Sequence, residues 1–237
     1  MECKPCLNGS AAKRETEHDT EVLMAKESLT IKEAVARSGQ YRIRMFKSDF
    51  MEQFSYVHPV VPFAIFIPVI LFCAFASFYY FHVSVIDFTI YALIGIAFWT
   101  ITEYSLHRFV FHPPMTNEFF RKLYFYSHGI HHDAMNDATR LVMPPAVSVP
   151  LAIGVYFASK AALGMNGLPF FVGFVSSYIV YDFLHFATHF FVFDNKIFKI
   201  LKKKHMVHHH KDHDSNFGFT SPLWDYVFGT NYKKKAH

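Results

Sequence analysis

Four long apolar segments constrain the fold of this chain more than any other feature of its sequence. They cover about residues 62–85, 86–105, 144–163 and 168–193. Each is close to the roughly 20 residues that a helix needs to cross the hydrocarbon core of a bilayer. Backbone polar groups inside a bilayer find no water, so such segments form helices whose hydrogen bonds are internal. The sequence therefore predicts an all-α integral membrane protein with four transmembrane helices.

The composition and the flanking segments agree with a membrane domain. Charged residues make up 18% of the 237 residues, whereas soluble domains carry about a quarter. We expect residues 1–44 to form a polar, partly disordered N-terminal tail without a cleavable signal peptide. Residues 45–231 are then the membrane domain, and residues 232–237 are a basic C-terminal tail.

The distribution of basic residues orients the predicted bundle. If both termini lie on one side of four spans, that side carries 22 of the 23 Lys and Arg residues, and only Lys160 lies on the other. Cytoplasmic loops carry such an excess of positive charge, so we expect both termini to be cytoplasmic. Lys234 and Lys235 also resemble the cytosolic dilysine signal of endoplasmic reticulum proteins. We therefore predict a multi-pass protein of the endoplasmic reticulum membrane.

Histidines accumulate on the predicted cytoplasmic side in four clusters that are far apart in sequence. Two clusters have the spacing H-x-x-H-H, whose members share one face of a helix, and one has the spacing H-x-x-x-H. The H-x4-H pair would be separated by about 140° on a helix. Because proline follows its second histidine, we interpret the pair as a helix end and a bend toward the same site. The clusters are His107 and His112; His128, His131 and His132; His185 and His189; and His205, His208 and His209.

These ten histidines predict a dimetal site in a cytoplasmic helical cap. Neutral imidazole is a suitable ligand for iron, zinc, copper and nickel, and ten ligands exceed what one ion can use. His210 and His213 break the spacing of the last cluster, so we expect surface or outer roles for them. The zincin motif H-E-x-x-H and the paired E-x-x-H motifs of soluble di-iron proteins are absent. An all-histidine site at a bilayer face fits oxygen activation against an unreactive hydrocarbon chain.

Four further residues are candidates for roles beside the metals or at the substrate. Asp182 precedes His185 by three residues, and Glu103 precedes His107 by four. A ligating histidine commonly donates its second N–H to such a carboxylate, and a charged side chain near membrane depth is a functional candidate by default. The other two candidates, for which aromatic packing is the alternative, are Tyr178 and Tyr181.

Four stretches of the sequence resemble the membrane fatty acid hydroxylase/sterol desaturase superfamily. They read EYSLHRFVFH, HGIHHDAMNDATRLVMPP, YDFLHFATHF and FGFTSPLWDYVFGT, and the histidine clusters match the histidine boxes of that superfamily. The resemblance covers residues 45 to 231, and RLVMPP favours the fatty acid 2-hydroxylase branch, whose members hydroxylate acyl chains of sphingolipids. Two features depart from the pattern. Phe190 stands where a second adjacent histidine is common, and no H-P-G-G motif of a cytochrome b5-like domain is present.

The resemblance implies a short, hydroxylase-only form of such an enzyme. It implies two non-haem irons bound by the ten histidines, O2 as the oxidant and an acyl chain of a membrane sphingolipid or ceramide as the substrate. Zinc is the alternative occupant in isolated protein. Electrons would come from an external cytochrome b5-type donor and its reductase, and the basic run from Lys199 to Lys204 could steer an acidic partner to this face. No nucleic-acid partner is expected.

Two alternatives stay open on the sequence. A sterol desaturase or C4-methyl oxidase of the same superfamily would share the histidine boxes but not the stretches that flank them. A metal transporter or metal-binding membrane protein would place polar ligands at mid-membrane between two related halves. The histidines of this chain gather instead at one end of the predicted spans.

Overall fold

The computed structural model describes residues 28–233. Within that range the chain is helical and contains no β-strand, which confirms the all-helical prediction. Two π-helical segments, Leu106–Phe111 and Phe125–Gly129, and two 3₁₀ turns, Ala138–Arg140 and Gly164–Asn166, adjoin the α-helices. In chain order the α-helices are α1 (Ile31–Ser38), α2 (Asp49–Gln53), α3 (Val61–Tyr79), α4 (Val85–Ser105), α5 (Glu118–Tyr124), α6 (Ile130–Asp133), α7 (Pro145–Leu163), α8 (Gly167–Phe190), α9 (Lys196–His210) and α10 (Leu223–Phe228).

Three helical stretches are long and apolar enough to cross a membrane: Val61–Tyr79, Val85–Phe111 and Ala138–Phe190. The first is α3, and the second is α4 with its π-helical extension. The third is 53 residues long and contains α7 and α8, which a 3₁₀ turn joins at Gly164, where φ is 58°. The predicted third span, 144–163, falls within this one stretch, and so does the predicted fourth span, 168–193, except for its last three residues.

Helix α8 lies at the centre of the bundle and packs against α3, α4 and α7. Its first half is buried continuously from Gly167 to Val175. The outer surface of the bundle, by contrast, exposes large apolar side chains such as Phe72, Ile86 and Phe157. Helices that are apolar on all sides are typical of a lipid environment, so this surface agrees with the predicted membrane domain.

Two glycines bring α4 and α8 into direct backbone contact. A Cβ atom at Gly95 would lie 2.1 Å from the carbonyl oxygen of Phe170, and one at Gly173 would lie 2.0 Å from that of Ala92. Small residues at helix crossings in membranes permit this close packing. Because α4 leads into the first histidine pair and α8 carries the third cluster, the contact fixes the position of one relative to the other.

The segment before α3 folds onto the bundle. Helix α1 begins with a capping box, in which Thr30 and Glu33 each accept a hydrogen bond from the backbone of the other. It buries Ala34 against Phe186 and Phe190 of α8. The sequence predicted a polar, partly disordered tail over residues 1–44, and the described part of that range contains α1. The apolar face of α1 is only two turns long, so the helical spacing of its apolar residues is hard to recognise in a polar sequence.

Candidate metal centre

The four histidine clusters converge on one site. Nine of the ten predicted ligands form two groups, and the ring nitrogens of each group lie within 4.8 Å of one another. The groups adjoin, since the ring centroids of His128 and His131, one from each group, are 5.0 Å apart. We name them the five-histidine group, which contains His131, His185, His189, His205 and His209, and the four-histidine group, which contains His107, His112, His128 and His208.

The five-histidine group is closely spaced. The Nε2 atom of His131 lies 3.0 Å from those of both His185 and His209. The Nε2 atom of His205 lies 2.9 Å from that of His189 and 3.0 Å from that of His209. All of these rings except the half-buried His189 are buried. Five nitrogens at these separations form a pocket of the size of one cation.

The four-histidine group has the same character. The Nε2 atoms of His112 and His208 are 3.0 Å apart, and the ring of His107 lies 4.6 Å from that of His208 and 4.9 Å from that of His128, between centroids. The Nε2 atoms of His107 and His128 are buried, and neither has a hydrogen-bond partner within residues 28–233. Buried polar atoms normally have partners, so these two nitrogens are available to an ion.

Each H-x-x-H-H motif contributes to both groups. His205 and His209 belong to the five-histidine group, whereas His208 belongs to the four-histidine group. Likewise His131 belongs to the first and His128 to the second. Adjacent residues on a helix are about 100° apart around its axis, so one motif contributes rings to two neighbouring groups. Helix α9 therefore runs along the boundary between the groups.

Two π-helical turns position histidines of the first two clusters. The N–H of His112 donates to the carbonyl oxygen of His107 over 3.0 Å, which closes the wider i→i+5 turn of a π-helix. The sequence predicted that the helix ends at His107; the structure continues it as a π-turn to Phe111. The wider turn brings the pair closer to one face than the α-helical spacing allows. A second π-turn, Phe125–Gly129, contains His128.

Backbone carbonyl groups orient three of the histidines by accepting hydrogen bonds from their Nδ1 atoms. Such a bond keeps the proton on Nδ1 and leaves the lone pair of Nε2 free for a metal. Both groups contain rings that are held in this way. The pairs are His107 with the carbonyl of Phe217 at 2.7 Å, His185 with that of Leu141 at 2.9 Å, and His208 with that of Ser215 at 2.8 Å.

The donor set and its spacing fit divalent first-row metal ions. Metal–nitrogen bonds of about 2.1 Å place adjacent ligands about 3.0 Å apart at right angles and about 3.4 Å apart in a tetrahedron. Burial, followed by the charges of neighbouring histidines, lowers the pKa of His112 to about 3. The same causes hold the pKa values of His205 and His209 well below the ordinary range. These rings are therefore neutral, which is the form that binds a metal.

His132, the tenth predicted ligand, belongs to neither group. Its ring stacks on that of His209 at 4.2 Å between centroids and lies 4.7 Å from that of His128, so it adjoins both groups. It is 8% exposed, and neither of its nitrogens has a hydrogen-bond partner in the described part of the chain. The exposed His213 lies beside it, with ring centroids 4.8 Å apart.

Glu103 supports the site through a loop and not through His107 directly. Its carboxylate accepts hydrogen bonds from the N–H groups of Phe219 at 2.6 Å and Thr220 at 2.8 Å. It also accepts one from the Thr220 hydroxyl. The same loop carries the carbonyl of Phe217, to which His107 donates. Glu103 therefore fixes the backbone that orients the ring.

Asp182 and the two candidate tyrosines line α8 beside the five-histidine group. The Nδ1 partner of His185 is a carbonyl group and not the predicted carboxylate. Asp182 is 1% exposed, and its carboxyl group interacts with the Tyr178 hydroxyl and with the backbone of Met143. The ring of Tyr181 stacks on that of His185, with centroids 5.7 Å apart. Two interacting polar side chains are thus buried beside the five-histidine group.

Comparison with known proteins identifies the family. The fatty acid hydroxylase family model matches residues 92–230, a range that includes all ten histidines. The chain belongs to the fatty acid hydroxylase family. Dihydroceramide fatty acyl 2-hydroxylase FAH1 of Arabidopsis thaliana is 36% identical over 195 residues, which cover 81% of each protein. Fatty acid 2-hydroxylase of Mus musculus is 32% identical over 222 residues.

The coverage of these relatives differs. The match with the mouse protein covers 82% of this chain but 58% of the mouse protein, so this member of the family spans little more than half of that relative. A solved structure of full-length scs7p, in which only the hydroxylase domain is visible, has a TM-score of 0.73 and 24% identity. It covers 89% of this chain and 96% of that chain. This fatty acid hydroxylase family member therefore shares the fold of that domain.

A loop near the C-terminus, residues 215–220, covers the centre in this family member. The ring of Phe217 lies 5.7 Å from that of His107 in the four-histidine group. The ring of Phe219 lies 5.0 Å from that of His205 in the five-histidine group. Alternate aromatic residues of one loop thus exclude water from both groups. Phenylalanine is common in this sequence, so composition does not distinguish these two positions.

Asp225 also holds the loop of residues 215–220 in place. It is fully buried and accepts hydrogen bonds of 2.9 Å from the N–H groups of Phe217 and Gly218. Its Oδ1 atom also accepts a hydrogen bond from the Thr230 hydroxyl at 2.7 Å. Sequence reasoning did not select Asp225, because no histidine stands three or four residues from it.

Arg140 anchors the segment that carries Leu141. Its side chain is 1% exposed and forms an ion pair with Glu52 at 2.8 Å, and its guanidinium lies 4.5 Å above the ring of Tyr56. The next residue, Leu141, accepts the hydrogen bond from His185. The family match begins at residue 92, so Glu52 lies outside it. Through Arg140, this earlier part of the chain is connected to the metal centre.

Proposed function

We propose that the chain is an O2-dependent fatty acyl 2-hydroxylase that acts on the acyl chains of sphingolipids or ceramides. One observation carries this proposal: two buried histidine groups adjoin each other beside long apolar helices, in a member of the fatty acid hydroxylase family. The names of the Arabidopsis and mouse relatives, a dihydroceramide fatty acyl 2-hydroxylase and a fatty acid 2-hydroxylase, support the substrate class and the position of attack.

We infer that each histidine group holds one non-haem iron ion, with zinc as the alternative occupant of isolated protein. When bound, such ions supply the chemistry RH + O2 + 2 e⁻ + 2 H⁺ → ROH + H2O. The five-histidine group offers more ligands than tetrahedral zinc uses, and its separations of 2.9–3.0 Å between Nε2 atoms favour five or six ligands. The Nδ1 hydrogen bonds keep the rings oriented, and Phe217 and Phe219 exclude water from the reaction.

An apolar cleft beside α8 supports the assignment of the substrate. Val60, Phe63 and Phe183 line it, and Asp182 is among the residues of its wall. We assign the apolar part to the acyl chain. We assign Asp182 and Tyr178 to the polar end of the lipid, since this buried pair of polar side chains can also bond to an amide N–H or a hydroxyl group. Tyr181 packs on His185, and Glu103 holds the covering loop, so their roles are to position ligands.

We place the enzyme in the endoplasmic reticulum membrane with four crossings, formed by α3, α4, α7 and α8. The metal centre then lies in a cytoplasmic helical cap, and both termini are cytoplasmic. The charge distribution, with only Lys160 on the far side, supports this topology. The dilysine pair Lys234 and Lys235 lies outside the described residues. The hydroxylase domain in this assignment covers residues 45–231.

We infer that electrons come from a separate cytochrome b5-type protein and its reductase. The predicted basic run divides into two kinds of residue. Lys202 is buried and donates to the carbonyl of Phe191 at 2.9 Å, whereas Lys199 and Lys203 are exposed. The exposed set offers positive charge to an acidic partner. Product formation with reductase alone, without a cytochrome b5, would contradict the dependence.

Lipid mass spectrometry tests the function. The chain is expressed in cells that lack their own fatty acid 2-hydroxylase, and sphingolipids are analysed with and without O2. We expect one added oxygen atom on the acyl chain, located at C2 by fragmentation. His205→Ala should abolish the product because it removes a ring of the five-histidine group. His210→Gln on the same helix is the matched control and should retain it. Oxygen in sterols, or unmodified lipid from well-expressed chain, would contradict the proposal.

A further inference from the structure

Helix α10 exposes an apolar surface next to the metal centre. Four of its six residues are large apolar or aromatic residues that are each more than half exposed: Leu223, Tyr226, Val227 and Phe228. Its one acidic residue, Asp225, is buried and bonds to the covering loop of residues 215–220. Contiguous exposed apolar surfaces mark contacts with proteins or with membranes. The position of α10 and the charges around it decide between these two.

Trp224 fixes α10 beside a helix that is long and apolar enough to cross a membrane. Its Nε1 atom donates to the Thr100 hydroxyl of α4 at 2.9 Å, within the predicted span 86–105. Thr100 precedes His107 by seven residues, so at about 1.5 Å per residue it lies about 10 Å from that ligand along the helix, toward the middle of the span. Phe98 is 54% exposed, so the apolar outer surface of α4 continues past this level. A bilayer that surrounds α4 here therefore also meets α10.

Lysines border the apolar side of α10. The Nζ atom of Lys204 lies 5.1 Å above the ring of Tyr226 and donates to Asn231 at 3.0 Å, and Lys233 is exposed. Lysine side chains at a bilayer surface bury their stems and keep the charge at the headgroups, and anionic lipids of the cytoplasmic leaflet attract them. An acidic protein would also be attracted, but the level of Thr100 within the span favours lipid as the occupant.

Helix α10 and the covering loop form one hydrogen-bonded unit. The Asp225 carboxylate accepts from the N–H of Phe217 at 2.9 Å, and the N–H of Asn216 donates to the carbonyl of Thr230 at 2.8 Å. Phe217 covers the four-histidine group, with its ring 5.7 Å from that of His107. Any contact that fixes α10 in place therefore also fixes Phe217 over that group.

We propose that α10 is seated at the headgroup boundary of the bilayer, on the side of the metal centre, and that this contact with lipid holds the covering loop over the four-histidine group. Trp224 and Tyr226 are the residue types that concentrate at this boundary. The helix lies along the surface, with its apolar side toward the acyl chains, as interfacial helices do. The inference rests on the membrane placement of the proposed function. It adds a role for the surrounding lipid besides that of substrate.

Cysteine labelling tests the position of α10. The full chain carries Cys3→Ser and Cys6→Ser, the buried Cys73 is left in place, and a charged maleimide is added to nanodiscs of phosphatidylcholine and phosphatidylserine. We expect Tyr226→Cys to react at least about tenfold more slowly than Asp214→Cys, because apolar surroundings disfavour the thiolate that reacts. Asp214 is an exposed position beyond α9. Both variants should react equally once the chain is unfolded, and the chain without an added cysteine gives the background.

Hydrogen–deuterium exchange in the same nanodiscs tests whether lipid contact holds the loop. Val227→Glu places a charge on the apolar side of α10, whereas Val227→Leu keeps that side apolar and is the matched control. We expect Val227→Glu to raise the exchange rate over residues 215–220 about tenfold, because exchange follows local opening, and Val227→Leu to leave it unaltered. Exchange over residues 167–175, the buried first half of α8, should stay unaltered in both variants, which shows that the bundle remains folded.

Several results would overturn the inference. Equal labelling of Tyr226→Cys and Asp214→Cys would place α10 in water, where a protein partner could reach it. Unaltered exchange in Val227→Glu, or an equal rise in Val227→Leu, would show that lipid contact does not hold the loop. If Asp214→Cys were as slow as Tyr226→Cys, the membrane placement of the proposed function would fail together with the inference. Neither readout depends on hydroxylation, so an absent lipid product would contradict the proposed activity and leave the position of α10 as measured.

Discussion

The two histidine groups lie side by side but depend on different parts of the chain. In the four-histidine group, His107 and His208 both donate to carbonyl groups of the loop at residues 215–220. In the five-histidine group, His185 donates to Leu141, which lies between α6 and α7. One half of the centre is thus oriented from near the C-terminus and the other from the middle of the chain. Each half can be disturbed separately, although the two-metal chemistry that we propose needs both.

The supports of the two halves also differ in kind. The C-terminal loop is held by the carboxylates of Glu103 and Asp225, which accept hydrogen bonds from backbone N–H groups. Such charge-assisted bonds are short and directional. The segment before α7 is held by the buried ion pair of Arg140 with Glu52. A buried pair adds little to stability as a whole, but removing one partner is severe because the other charge remains unpaired.

Removing one ring from each half should give the largest effect. We expect His205→Ala to empty the five-histidine group and His208→Ala to empty the four-histidine group, so each variant should retain about one ion per chain, because ion and ligands bind as a unit. Both should lose hydroxylation of lipid. Elemental analysis of purified protein measures the ion content. Loss of both ions in either variant would show that the halves are not separate, and His210→Gln serves as the control.

Arg140→Met should give the next largest effect. It leaves Glu52 without its cationic partner in a buried position, and breaking a buried pair in this way costs about 3–5 kcal/mol. We expect a lower unfolding temperature in detergent and a preferential loss of the ion from the five-histidine group, whose His185 depends on the neighbouring Leu141. Thermal unfolding and ion content measure these changes.

The control for Arg140→Met is Lys122→Met. Lys122 forms an ion pair with Glu118 at 2.7 Å, but both side chains are exposed, so its removal should leave unfolding unchanged. Equal destabilisation by the two variants would show that burial of the Arg140 pair is irrelevant. If Arg140→Met instead lost the ion of the four-histidine group, the two groups would not be oriented by separate parts of the chain.

Asp225→Asn should act on the other half and more weakly. The amide keeps the size of the carboxylate but has only one acceptor oxygen, so it can no longer accept from both the Phe217 and the Gly218 N–H groups. One hydrogen bond is lost, and each is worth about 1.5–3 kcal/mol when charged. We expect metal affinity of the four-histidine group to fall about 10–100-fold, as for other residues that orient a ligand, with the five-histidine group unchanged. Competition with a chelator measures both affinities. An equal fall in both groups would disprove the assignment of the loop to one half.

Much of the fold and of the histidine site could be predicted from the sequence, because the patterns that indicate them lie between residues close together in the chain. Length and apolarity predicted the membrane helices, and the H-x-x-H-H spacing predicted which histidines lie close together. The spacing did not predict that His208 would separate from His205 and His209. That division depends on where α9 lies between the other three clusters, which is a tertiary property. His132 likewise has the spacing of a ligand but lies between the groups.

The groups that orient the histidines could not be predicted from the sequence, and the reason is physical. The partners of His107, His185 and His208 are backbone carbonyl groups, which every residue has, so no residue type marks them. The sequence favoured Glu103 and Asp182 because carboxylates are visible in it. Arg140 and Asp225 were visible too, but nothing in the sequence distinguishes a buried charge from a surface one until its partner, often far away in the chain, is known.

The smallest effect should come from acid titration of Glu52. Burial alone would raise the pKa of this carboxyl, but hydrogen bonds from Tyr56, Phe46 and Met45, together with the charge of Arg140, lower the pKa below its ordinary value of 4.5. The ionised form is therefore favoured in the folded state. Its stabilisation is present above the ordinary pKa and is lost as the pH falls through the lower, folded value.

Glu52→Gln should remove this part of the acid sensitivity. We expect the unfolding temperature to fall less steeply below about pH 4.5 than in the unaltered chain, since a glutamine does not titrate. The exposed Glu118 supplies the control: Lys122 also lowers its pKa, but water screens that pair, so Glu118→Gln should leave the acid slope in place. The contribution of Glu52 is one titration among many, so only the difference between the two variants isolates it. If both variants keep the unaltered slope, the Arg140 pair does not sense acid, and the segment that orients His185 is held chiefly by its uncharged contacts.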